Sequence, residues 1–77
     1  MKHGVPTEVV AELVRARETY PDMVSAHEGY AILKEEVDEL WTEVKKRPLL
    51  RSRERMRAEA IQIAAMAIRF IEDVCDK

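Results

Sequence analysis

Cysteine is nearly absent from this 77-residue chain: Cys75 stands alone, so no disulfide can form within it. That fits a reducing cytoplasm. Glycine occurs twice, which disfavours a turn-rich all-β chain, and aromatics amount to one Trp, two Tyr and one Phe. No apolar run approaches the ~20 residues that a bilayer-spanning helix requires. Met1-Lys2-His3-Gly4 is followed by no apolar stretch of the kind a signal peptide carries. Membrane insertion is therefore not expected, and the default reading is a cytoplasmic protein. Length is scarce too. A chain this short forms one core at most, as a single domain over 1–77, and cannot by itself wall off a deep active site.

What is present points to helices. Apolar residues make up 47% and charged residues 36%, enough for a core and a solvated surface. Ala, Glu, Arg, Val and Met are abundant, and most of these favour helix. Thirteen basic against fifteen acidic residues give a net charge of −2, so bulk charge offers no reason to expect nucleic acid.

Hydrophobic periodicity predicts three helices, over about 7–20, 25–46 and 52–75. Thr7 is the expected N-cap of the first, with Glu8 near the positive end of its dipole. Val9, Val10, Leu13 and Val14, with Arg17, form its stripe, and Pro21 ends it. Ser25-Ala26-His27-Glu28 is a capping-box pattern at the start of the second, which reads His27 as part of a helix start rather than a ligand. Tyr30, Leu33, Val37, Leu40 and Val44 recur along that helix at bundle spacing, and Pro48 closes it. The third repeats the spacing through Met56, Ala60, Ile63, Ala67, Phe70 and Val74. A second apolar face runs through Ile61, Ala65, Ile68 and Ile71. In so short a chain the extra face predicts another subunit, so the expected architecture is a three-helix, all-α subunit completing a helical bundle by homo-oligomerisation.

Charge is segregated despite its bland total. Glu28 to Glu43 holds six acids and one base, whereas Lys45 to Arg57 holds seven bases and one acid. Within the acidic block, Glu36 and Glu39 lie one turn apart beside the apolar seam, and Glu43 extends the row. Carboxylates at a core edge are costly unless paired or bound to a cation. Antiparallel packing of the second and third helices would bring Glu59, followed at i+3 by Gln62, opposite Glu36 and Glu39. Three carboxylates and an amide, all oxygen donors, suit Mg²⁺ or Mn²⁺. Zinc is disfavoured, because Cys75, His3 and His27 share no helical ligand spacing. The competing reading is a solvated acidic face through Glu35, Asp38 and Glu43. Trp41 reads either as a base-stacking residue or as core or interface. The basic block reads as a phosphate site, as ion pairs with the acidic helix, or as a solvated helix start.

Glu35-Glu36-Val37-Asp38-Glu39, followed after a break by Glu59 in an Ala-rich helix, resembles the EExxE…ExxD signature of the MazG-like all-α nucleoside triphosphate pyrophosphohydrolases. That superfamily includes dimeric dUTPases and phosphoribosyl-ATP pyrophosphohydrolases. The resemblance runs from about His27 to Asp73. It implies Mg²⁺-dependent hydrolysis of a (d)NTP to the monophosphate and pyrophosphate, in a homodimer or homotetramer. Metal ligands would be Glu36, Glu39, Glu59 and Gln62, and Glu35 or Glu36 would serve the attacking water. Lys45, Lys46, Arg53 and Arg57 would hold phosphate. Gln62 stands where the family has Asp; its carbonyl can ligate but brings no charge, which lowers the expected metal affinity. The alternative this leaves open is a catalytically weak or inactive helical module that binds a nucleotide or a protein partner.

Overall fold

Residues 4–77 are described by a computed structural model. Met1 to His3, and with them the readings of the leader and of His3, lie outside the described residues. Helix α1 spans Val5–Thr19, α2 Ala26–Val44 and α3 Arg53–Phe70. A 3-10 turn at Pro48–Leu50 precedes α3, and a π-helical turn at Ile71–Cys75 extends it. No strand occurs among the described residues, and no helix among them is long and apolar enough to cross a membrane.

The caps explain the boundaries. Ser25 Oγ accepts from Glu28 N at 3.0 Å, and Ser52 Oγ accepts from Arg55 N at 3.1 Å. Glu28 reaches back one residue further than a capping box requires, accepting from Val24 N at 2.9 Å. At α1 the expectation of Thr7 as N-cap is corrected. The cap is Gly4, whose carbonyl accepts from Glu8 N at 3.2 Å, and Pro6 sits in the first turn, where its missing N–H costs nothing. Tyr20 leaves the helix with ψ of 149°, as the following Pro21 demands.

Helix α3 lies in the middle, packed on α2 along one side and α1 along the other. The molecule is correspondingly flat, 43 × 33 × 19 Å. Its core joins Val9 and Ala16 of α1, Met23 of the connecting segment, and Ala65 and Met66 of α3. Ile61 and Ile68 pack against that cluster, as does Leu13. The second apolar face of α3 is thus largely met within the chain by α1, which corrects the expectation that it awaits another subunit. Only Ile71 of that face stays half exposed.

Two apolar stripes also shift in phase. Val10 and Val14 point outward, and the inward face of α1 is Val9, Leu13 and Ala16. On α2, Tyr30 is 61% and Val37 45% exposed, while Gly29, Ile32 and Leu33 face the core. Gly29 is needed there: a Cβ at this position would lie 2.7 Å from Phe70 Cδ2 and 3.1 Å from Met23 Sδ. Its absence lets α2 and α3 approach closely enough to bring their carboxylates together.

An ionic knot fixes the ends. Asp73, buried in the π turn, accepts from Met23 N at 2.9 Å and pairs with Arg17 at 2.8 Å. Arg17 also reaches Glu72 at 2.7 Å. The wider π turn aims the Asp73 carboxylate at the segment between α1 and α2.

Candidate metal centre and cleft

Glu36 and Glu39 sit one turn apart on α2, and Glu59 meets them from α3. One carboxylate oxygen from each lies within 4.8 Å of the others, so the three residues can coordinate a divalent cation. Among the described residues no basic side chain forms an ion pair with the cluster in the way Lys46 does with Glu43; Arg15, which feels the charge of Glu36, is paired with Glu12. Glu36 Oε2 and Glu59 Oε2 are buried and accept no hydrogen bond. Burial first, then the charge of Glu39, a hydrogen bond with it, and the charges of Glu59 and Glu12, push the Glu36 carboxyl up to about 7. Burial and Glu39 likewise raise Glu59. Orphaned buried carboxylate oxygens and mutual repulsion are the features that a bound cation relieves, and an all-oxygen donor set fits a hard one.

The cluster opens on a cleft of about 590 Å³, floored by α3 and walled by α1 and α2. That volume is in the range of small-molecule sites. Glu35, exposed, lines it together with Glu36, Glu39 and Gln62. Gln62, half-buried on the same face of α3 as Glu59, also lines a shallower groove between α1 and α3.

The basic block is placed differently from the acids. Lys46 pairs with Glu43 at 2.8 Å, and Arg51 Nε donates to Val44 O at 2.7 Å. Arg57 grips both oxygens of Glu8 and borders the shallower groove. Lys45 is exposed just after α2 and Arg53 is exposed at the start of α3, both outside the cleft lining. Trp41, 57% exposed, also lies outside that lining. Lys46 and Arg51 of the block therefore help to close the α2–α3 break, while Arg57 ties α3 to α1. Glu43 belongs to this closure: only 5% exposed, it accepts from Ser52 N at 2.6 Å as well as from Lys46, and both bonds hold its carboxyl below the usual range.

Three residues at the cleft carry no signal in the EExxE pattern. Glu12 of α1 adds its charge to that felt by Glu36 and pairs with Arg15 at 2.5 Å. Arg69 of α3 is 2% exposed and lines the far end. A lone Arg inside the run Ala67-Ile68-Arg69-Phe70-Ile71 was the available clue, since an arginine on an apolar helix face is seldom left without purpose. Comparison of the chain with protein-family models, with curated proteins and with solved structures finds no match.

Proposed function

We propose that the chain is a divalent-cation-dependent nucleotide pyrophosphohydrolase, cleaving a (d)NTP to the (d)NMP and pyrophosphate. The observation that carries this reading is the convergence of three carboxylates from two helices, two with buried and unpaired oxygens, where Glu36 and Glu39 line a cleft. Glu36, Glu39 and Glu59 would hold Mg²⁺ or Mn²⁺, with the Gln62 carbonyl in reach of the same end of the cleft. When bound, the cation supplies positive charge against the phosphate oxygens. Glu35, exposed beside this cluster, accepts the proton of the water that attacks the α–β anhydride. The P–O bond breaks, and the electron pair leaves with pyrophosphate. Within the Lys45–Arg57 block, Arg57, which borders the neighbouring groove that Gln62 also lines, would receive that group by exchanging Glu8 for a phosphate. Lys45, Lys46 and Arg53 lie outside the cleft lining and contribute charge at longer range.

A homodimer or homotetramer belongs to this reading. The exposed α2 stripe of Tyr30, Val37 and Trp41 is the apolar face a second copy would cover, and Trp41 would reach a base only through such a contact. The free Cys75 supports a cytoplasmic setting. Pyrophosphate release measured across the common NTPs and dNTPs with Mg²⁺ tests the proposal. Turnover of at least one nucleotide, abolished by Glu36→Gln, is expected; no release from any of them, or full activity in the variant, overturns it.

Gln62 favours a second reading, a nucleotide- or partner-binding module without turnover, because a neutral ligand leaves the site one charge short of four carboxylates. Calorimetry showing nucleotide binding without pyrophosphate release would select it.

A further inference from the structure

Arg69 is the one strongly buried cation of the cleft. Its Nη2 donates to Pro21 O at 2.7 Å, and its Nη1 finds only the Met66 thioether, at 3.4 Å. Its Nε is buried with no acceptor at all. A guanidinium withdrawn from water with one N–H unmet and another on a weak sulfur acceptor is unfavourable as it stands. Met66 lines the same cleft. Its unbranched side chain can swing away, so a ligand oxygen or nitrogen arriving there would replace sulfur by a strong acceptor.

The surroundings say what kind of acceptor this is. Asp73 lies near enough for the charge of Arg69 to lower its pKa, so the guanidinium is already partly balanced. Arg15, the other cation in the lining, is held by Glu12. The lining otherwise contributes the acids Glu28, Glu35, Glu36 and Glu39, which would repel a second anion. Tyr20, Pro21, Ile32 and Met66 give the lining flat or apolar surface, and Pro21 and Met66 touch Arg69 directly. Glu59 and Arg69 are ten residues apart on α3, a rise of about 15 Å at ~1.5 Å per residue. The phosphates and sugar of a nucleotide held at the carboxylate end would bridge toward that far end.

We propose that Arg69 is the base-reading residue of the cleft, donating hydrogen bonds to acceptor atoms on the edge of a nucleobase, with Met66 as the movable cover. This rests on the nucleotide reading above and names the part of the substrate that selects among nucleotides. Arginine is suited to it, since its forked donors discriminate between base edges.

The test uses the whole chain with Mg²⁺, non-hydrolysable α,β-imido analogues of the four dNTPs, and tripolyphosphate as a probe without a base. In the wild type, dissociation constants should differ between bases by at least about tenfold. The Arg69 Nε–H resonance in ¹⁵N spectra should shift when the preferred analogue binds. Arg69→Lys, which keeps the charge and a donor for Pro21 O, should bring the four constants within about threefold of one another and leave tripolyphosphate binding unchanged. That unchanged binding also shows the variant to be folded. Persistence of the preference in Arg69→Lys, an unmoved Nε–H signal, or no preference in the wild type overturns the assignment alone. Weaker tripolyphosphate binding in the variant would make Arg69 a phosphate or structural residue and overturn it too. Failure of the wild type to bind any analogue overturns the nucleotide reading, and the assignment with it.

Discussion

Glu36 and Glu43 lie seven residues apart on α2, two turns along one helix, yet the fold treats them oppositely. Glu43 is the more deeply buried, and its charge is fully answered by Lys46 and the Ser52 N–H. Glu36 is only half-buried, yet burial first, and then Glu39, Glu59 and Glu12, push its carboxyl up to about 7, because no cation answers it as Lys46 answers Glu43. Burial alone does not decide what a carboxylate does; its partners do. Glu43 closes the turn between α2 and α3. Glu36 stores repulsion that a cation can discharge.

The largest expected effect separates the two directly. Glu36→Gln should weaken Mn²⁺ binding by more than the ~10–100-fold typical of losing an outer-shell partner. It should also raise the melting temperature of the metal-free protein, because one member of a repelling cluster is gone. Glu43→Gln should do the reverse, lowering the melting temperature while leaving Mn²⁺ affinity unchanged. Thermal melts and calorimetry on both variants check this, and parallel behaviour would dissolve the contrast.

Gly29→Ala strikes the geometry beneath it. The added methyl must displace Phe70 or Met23, an overpacking cost of about 1–3 kcal/mol in chemical denaturation. By prising α2 from α3 it should also loosen the Glu36–Glu59 approach and weaken Mn²⁺ binding. The Glu43–Ser52 contact lies at the far end of α2 and should persist.

The pH dependence sharpens the comparison further. Glu36 has a raised pKa in the folded state, so the stability it contributes is fully present below its ordinary value of 4.5 and is lost as pH rises through about 7. Glu43 has a lowered one, so its contribution is present above the ordinary value and is lost as pH falls through the folded pKa. Denaturation profiles of the two Gln variants against wild type should therefore diverge in opposite directions. Cation affinity should rise across pH 6 to 8 in the wild type, because binding must expel the proton near pH 7.

The smallest effect is expected from Gln62→Asp. A fourth carboxylate should strengthen Mn²⁺ binding several-fold and slightly lower the metal-free melting temperature.

The elements were legible because their signals are local. Ser25, Ser52, Pro21 and Pro48 mark where helices begin and end, and the three helices fall within two residues of the expected limits once the π turn is counted. The acidic triad was legible because i, i+3 spacing and one antiparallel packing step suffice to assemble Glu36, Glu39 and Glu59. The face of α2 turned to the core was not. Tyr30, Val37 and Trp41 make a second apolar stripe, and periodicity cannot say which of two stripes is covered. The role of Glu43 depends on the Ser52 N–H, a backbone group with no sequence signature. The part played by Glu12, Arg15 and Arg69 depends on α1 crossing α3, a long-range choice that no motif encodes.

The most direct test of the central claim is calorimetric titration of Mn²⁺ into wild type and Glu36→Gln at pH 8. Saturable binding to the wild type that is lost in the variant is the predicted result. No saturable heat with the wild type, or equal affinity in both proteins, would contradict the assignment of the Glu36–Glu39–Glu59 cluster as a cation site.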